Sequence, residues 1–160
     1  MKTIWIMVGA PASGKTWFAK NKLMNSADWA YISRDEIRFS IIKENEDYFS
    51  KEYEVFEAFI NAILCALRES VNNVIVDATH LNWKSRRKLL TNLEYHIDLK
   101  NFNIVPVVVY SNIGTMKIRN QSRPGRECVP EKAMREMLES MTHPSSDPFG
   151  YTMICEVNNS

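Results

Sequence analysis

Gly9-Ala10-Pro11-Ala12-Ser13-Gly14-Lys15-Thr16 fills every fixed position of G-x-x-x-x-G-K-[ST], a pattern whose residue types suit the cradling of a polyphosphate. Glycines let successive backbone N–H groups turn toward anionic oxygens, and the helix that follows offers its positive end. Lys15 would reach the β and γ phosphates, and the Thr16 hydroxyl is a hard oxygen suited to Mg²⁺. Gly9, Ala12, Ser13, Gly14, Lys15 and Thr16 are therefore the expected nucleoside-triphosphate residues, with Thr16 as a metal ligand.

Other groups able to do chemistry stand at the ends of apolar runs. Residues 29–33 read as a strand that leads into Arg34-Asp35-Glu36-Ile37-Arg38, where Ser33 or Asp35 caps a helix reaching about Lys43. Ligands of open α/β sheets sit beyond the carboxyl ends of strands, so Asp35 would lie near the phosphate loop and accept a substrate hydroxyl's proton. The plainer alternative is that Asp35 only caps a helix while Arg34 and Arg38 are solvated charges. Val74-Ile75-Val76 ends in Asp77, as in a strand whose terminal carboxylate holds Mg²⁺; an Asp that bonds its own turn is the alternative. His80 has no second ligand at a suitable spacing and is read as structural or substrate-adjacent. Arg119, Arg123 and Arg126 flank a Pro-Gly turn between two helical stretches, the pattern of a flap that brings guanidinium forks over transferring phosphates; plain surface charge is the other reading.

The elements that must position these groups alternate strand and helix. Ile4, Trp5, Ile6, Met7 and Val8 form a strand before the phosphate loop, and residues 15–24 a helix after it. Tyr53, Phe56, Phe59, Ile60, Ile63, Leu64 and Leu67 make a core-facing stripe on a helix over residues 50–70. Asn82 caps a helix with basic first turns, Arg86 and Arg87 among them, read as a solvated face or one that touches a phosphate backbone. Residues 104–110 are a buried strand despite Pro106, residues 111–121 a helix, and Pro130 a first helical position. Residues 151–157 alternate enough for a last strand. The pattern predicts an α/β fold, a parallel sheet of about five strands with helices on both faces and an arginine-bearing helical lid.

Length and composition set bounds. With 160 residues and 45% hydrophobic content, one domain is expected. A net charge of +1 announces neither nucleic acid nor membrane through a global field. Cys65, Cys128 and Cys155 are widely spaced and match no zinc or disulfide framework; with no apolar span and no cleavage pattern, a cytoplasmic protein is expected.

Taken together, the loop from Gly9 to Thr16, Ser33-Arg34-Asp35-Glu36-Ile37-Arg38, Val74-Ile75-Val76-Asp77-Ala78-Thr79-His80-Leu81-Asn82 with Arg86-Arg87, and Arg119-Asn120 through Arg123 to Val129-Pro130 resemble the kinase domain of bacteriophage-type polynucleotide 5′-kinases over nearly the whole chain. The resemblance implies a P-loop kinase fold, ATP and Mg²⁺ as cofactors, and the 5′-hydroxyl ends of DNA or RNA as partners in nucleic-acid end repair. It implies Lys15 and Thr16 on the ATP phosphates and Mg²⁺, and Asp35 as general base. Arg38 falls on the acceptor's phosphate, Arg119 and Arg123 on the transferring group, and Arg126 is a further lid arginine. Arg34, Arg38, Asp77 and Thr79 are the expected substrate-side residues, Asp77 also serving Mg²⁺. The family places Asp directly before the Thr of its third-strand motif, whereas here Ala78 holds that place and the acid is Asp77. A D-x-D-x-[TV] phosphatase signature is absent, and the lid loop is longer by a residue. Two further readings fit the residues: a P-loop kinase with a small-molecule acceptor, and an NTP-dependent switch that needs no acceptor base.

Overall fold

A computed structural model describes residues 1–160. Five apolar runs become the strands β1 (Lys2–Val8), β2 (Trp29–Ser33), β3 (Asn73–Asp77), β4 (Phe102–Tyr110) and β5 (Cys155–Asn158). They form one all-parallel sheet in the order β2-β3-β1-β4-β5. The register sets Met7 beside Asp77 and Asp77 beside Ser33, so three strands end level and open their following segments on one edge. That edge holds the chemistry.

The helices are α1 (Lys15–Phe18), α2 (Arg34–Ile41), α3 (Glu52–Arg68), α4 (Trp83–Glu94), α5 (Ile113–Gln121) and α6 (Glu131–Glu139). Because side chains alternate along a strand, β1 sends Ile4, Ile6 and Val8 to a core shared with Phe59, Ile63, Leu89 and Leu93 of α3 and α4. Its Met7 joins Ala19, Ile75, Val107 and Val109 on the other face, where Trp5 and Trp29 pack partly buried. A third cluster, Ala10, Leu81, Met116 and Met134, roots the α5–α6 arm beside the phosphate loop. No helix is long and apolar enough to cross a membrane.

Several expectations change at element ends. The helix predicted for residues 15–24 is α-helical only to Phe18 and then widens into a π turn, Ala19–Leu23. There the Asn21 side chain donates to the Trp17 carbonyl at 2.9 Å and competes with the backbone ladder. Ser33, not Asp35, caps α2, accepting from Glu36 N–H at 3.2 Å. α5 starts after Asn112, which accepts from Thr115 N–H, and Pro130 stands as the N-cap of α6 rather than inside it. The last strand is only Cys155–Asn158, since Thr152 is tied through backbone and hydroxyl to Ile104 and Tyr151 packs on the core. Pairing of β5 with β4 begins at Val107, so β5 asks no donor of Pro106. Within the α3 stripe, Tyr53 is exposed and Phe56 turns toward the cleft described next.

Candidate functional site

The phosphate loop owes its shape to two left-handed residues, Ala12 at φ 65° and Gly14 at φ 92°. Alternation of hand turns consecutive N–H groups inward, which makes a concavity for anions. A Cβ at Gly14 would lie 1.9 Å from Asn159 Nδ2, and one at Gly9 would lie 2.6 Å from Ser13 Oγ and 3.0 Å from Val109 O. At Gly14 the positive φ strains any side chain and Asn159 would have to move aside, while at Gly9 the Val109 carbonyl and Ser13 crowd a Cβ. Gly9 N–H donates to Thr79 O at 3.0 Å, tying the loop to the end of β3. Ser13 is buried beneath the loop with an Oγ that has no partner.

Register then brings the two expected metal residues together. Thr16 Oγ1 donates to Asp77 Oδ2 at 2.7 Å, and the Tyr31 hydroxyl donates to the same oxygen. Burial and the Asp77 charge push the Tyr31 phenol far up, so it remains a proton donor. A hydroxyl and a carboxylate side by side at a phosphate loop are an all-oxygen donor set of the kind Mg²⁺ takes, and these residues fit it.

Facing the loop is a wall of side chains. Asp35, released from capping by Ser33, sits at the mouth of α2 with Oδ1 bonded by the Tyr48 hydroxyl. Arg38 is buried: its Nε lies 3.5 Å from Asp35 Oδ1, its guanidinium pairs with Glu52, and the Tyr48 ring covers it at 4.1 Å. Arg34 pairs with Glu52 at 3.0 Å and lies over the Phe56 ring at 5.3 Å, while Lys88 Nζ reaches that ring at 4.3 Å. The solvated-charge reading of Arg34 and Arg38 therefore fails: both are held in an ion-pair network.

The arm over the cleft is closed at its base by Asn120, whose amide donates to Val129 O at 2.7 Å and accepts from Val129 N–H at 2.9 Å. Within that loop Arg123 and Arg126 line the cleft. Arg126 spans it, donating to Lys43 O at 2.7 Å and Glu46 O at 3.1 Å. Arg119 lies behind the phosphate loop, with Nη2 donating to Asn159 O at 3.0 Å and Nη1 3.4 Å from Ser13 O.

One cleft of about 440 Å³ thus collects Ala12, Gly14, Lys15, Thr16, Arg34, Asp35, Arg38, Asp77, Thr79, Arg123 and Arg126. Gly9, Ser13 and Arg119 stand outside its lining and support the loop from below and behind. A shallower hollow of about 830 Å³, between residues 94–104 and 149–152, carries none of the motif residues.

His80 takes the structural one of its two expected readings, and Arg86 takes a role that its motif does not show. His80 is buried at φ 44°, its Nδ1 donating to Met7 O at 2.9 Å, and burial pushes it down to about 4, so it is neutral. Arg86 is fully buried and bonds Asp147 through two nitrogens at 2.7 and 2.8 Å, His80 O at 2.8 Å and Thr142 O at 2.9 Å. Neither a solvated face nor a phosphate contact describes it; Arg86 clamps the loop after β3 to residues 142–147. A signal existed, because 86, 89, 90 and 93 share one helical stripe and the last three are leucines. Tyr48, Glu52 and Asn159 carried no local pattern at all.

A family model described as an AAA domain matches residues 4–144. Among solved structures, a fungal RNA kinase is similar at a TM-score of 0.66 and 16% identity, covering 99% of this chain and 75% of that one. A chain of the Pnkp1/Rnl/Hen1 RNA repair complex is similar at 0.67 and 18%, covering 87% of this chain and 43% of that one. A gluconokinase from Sinorhizobium meliloti 1021 is similar at 0.55 and 18%, covering 98% and 82%. At such identities the likeness is one of fold, the P-loop kinase fold.

Proposed function

This chain belongs to the AAA domain family, and from that premise we propose that it is an ATP-dependent phosphotransferase acting on the 5′-hydroxyl of DNA or RNA. One observation carries the reading: a single cleft opposes a phosphate loop and its Thr16–Asp77 pair to a wall that presents Asp35, with lid arginines above.

The loop amides and Lys15 hold the β and γ phosphates, so the terminal phosphorus is presented to the opposite wall. Thr16 and Asp77 would hold Mg²⁺, which supplies neutralisation of the phosphate charge when bound. Asp35 takes the acceptor hydroxyl's proton while the new O–P bond forms and the bond to the β-phosphate oxygen breaks, leaving ADP and a protonated Asp35. Arg123 reaches over the transferring group from the lid, where a guanidinium spreads developing charge. Arg38, fixed beside Asp35, places a cation where an acceptor phosphate would enter.

Exposed Phe49, and Phe56 flanked by Arg34 and Lys88, put aromatic faces and cations on the acceptor side, which suits bases and backbone phosphates. The fungal RNA kinase among similar folds supports the same acceptor. The gluconokinase neighbour and the near-neutral net charge favour a second reading, a small-molecule hydroxyl. Transfer of labelled γ-phosphate from ATP with Mg²⁺ to 5′-hydroxyl DNA and RNA oligonucleotides, with Asp35→Asn as control, separates them. Label on either oligonucleotide from the unmodified protein alone supports the proposal; ATP turnover with bare oligonucleotides turns the search to small acceptors.

A further inference from the structure

Between α2 and α3 the chain has no regular structure, yet it is pinned from two sides. On the cleft side Tyr48 packs its ring on the Arg38 guanidinium at 4.1 Å, accepts Arg38 Nη1 on its carbonyl at 3.0 Å, and donates its hydroxyl to Asp35 Oδ1. On the lid side Arg126 donates to the carbonyls of Lys43 and Glu46 and lies 5.5 Å from the Phe39 ring, itself 6.0 Å from Tyr48. One short segment therefore meets the lid through Lys43 and Glu46 and the base through Tyr48. Asp35 Oδ2 accepts no hydrogen bond within the protein and is left for an acceptor hydroxyl.

We propose that Tyr48 is the positioning residue for Asp35, and that it holds the carboxylate when Arg126 latches the lid onto the turn at Lys43 and Glu46. This rests on the phosphotransferase reading. A half-exposed carboxylate has two equivalent oxygens and a free torsion; a phenol bound to one of them leaves the other as the only oxygen aimed at substrate. The phenol suits the task, since burial and the Asp35 charge push it up to about 12 and keep it a donor. Arg126 contributes a geometric constraint: its Nη1 donates to two carbonyls at once, Lys43 O and Glu46 O, and so ties together a turn that has no helix or strand of its own. Lid contact and base alignment then run through one short segment, residues 43–48.

Tyr48→Phe removes the hydroxyl and leaves the ring on Arg38. The expected result is a fall in kcat of roughly 10- to 100-fold, the size of a lost hydrogen bond to a charged group, with KM for ATP unchanged. Arg126→Ala lowers kcat too, and the Tyr48→Phe/Arg126→Ala double variant is no worse than the poorer single one, because both break one arrangement. Multiplying losses would place Arg126 on the phosphates and overturn the coupling. Amide hydrogen exchange adds a readout that needs no acceptor: a non-hydrolysable ATP analogue with Mg²⁺ slows exchange over residues 43–50 in the unmodified protein and not in Arg126→Ala, and equal exchange in both overturns the latch. A Tyr48→Phe protein that labels oligonucleotides as fast as the unmodified one sinks the Tyr48 role alone. An unmodified protein that labels no acceptor sinks the phosphotransferase reading, and the Tyr48 role with it.

Discussion

The two walls of the cleft are built on different principles. The nucleotide wall is mostly backbone: left-handed Ala12 and Gly14 and the close approach at Gly9 form the phosphate cradle within eight consecutive residues. The opposite wall, where the proposed acceptor would sit, is a mesh of side chains, Asp35, Arg38, Tyr48 and Glu52, drawn from α2, α3 and the segment between them. Backbone geometry is set locally and tolerates little change; a side-chain mesh can be retuned one residue at a time. Under the proposed function the triphosphate is the constant partner and the acceptor the variable one, which would suit a rigid wall for the first and an adjustable wall for the second.

That contrast can be broken most severely with Asp35→Asn and Lys15→Ala. Asp35→Asn is expected to lower kcat for transfer by roughly 10²–10⁴ while the Kd for ATP, read by isothermal titration, stays the same. Lys15→Ala should weaken both transfer and binding. Equal loss of ATP binding in the two variants would erase the division between walls. Gly14→Ala tests the backbone principle itself: positive φ and the approach of Asn159 should cost nucleotide affinity without touching any side chain that binds it.

Structural clamps come next. Arg86→Leu leaves Asp147 with a side chain only 5% exposed and its ion-pair partner gone, a change worth about 3–5 kcal/mol in denaturant unfolding. The smallest and most specific test is pH. His80 takes its proton near 6.5 in an unfolded chain and near 4 when folded, so between these values acid charges only the unfolded state. The His80 contribution to stability should fall by about 3 kcal/mol as pH drops through that window and level off below it. His80→Asn, which tolerates the left-handed backbone, should be less stable at neutral pH but lack that slope. Asp147 adds a separate limb: burial alone would raise its carboxyl, yet bonds from Arg86 and Tyr151 bring it below the ordinary range. Its contribution is present above the unfolded carboxylate pKa and lost as pH falls through the folded one. Melting curves against pH should therefore keep an acid limb in His80→Asn.

Much of this was readable in the chain because the signals are local. The phosphate loop is contiguous, its strand and helix flank it directly, and continuous apolar runs mark β1, β3 and β4 as buried strands. Asn82 as a cap, Asp77 at a strand end and arginines beside a Pro-Gly turn are equally short-range. What stayed hidden depends on chain segments meeting across long distances. Tyr48 matters because a connection without periodicity folds back on Asp35, and Arg86 because residues 142–147 return to it. Asn159 matters because β5 pairs beside β4 and carries it over Gly14. Composition and spacing determined which residues could do chemistry and which elements carry them. Sheet order and register decided which of those residues face one another, since a parallel sheet aligns strand ends by hydrogen bonds between segments that are far apart in sequence.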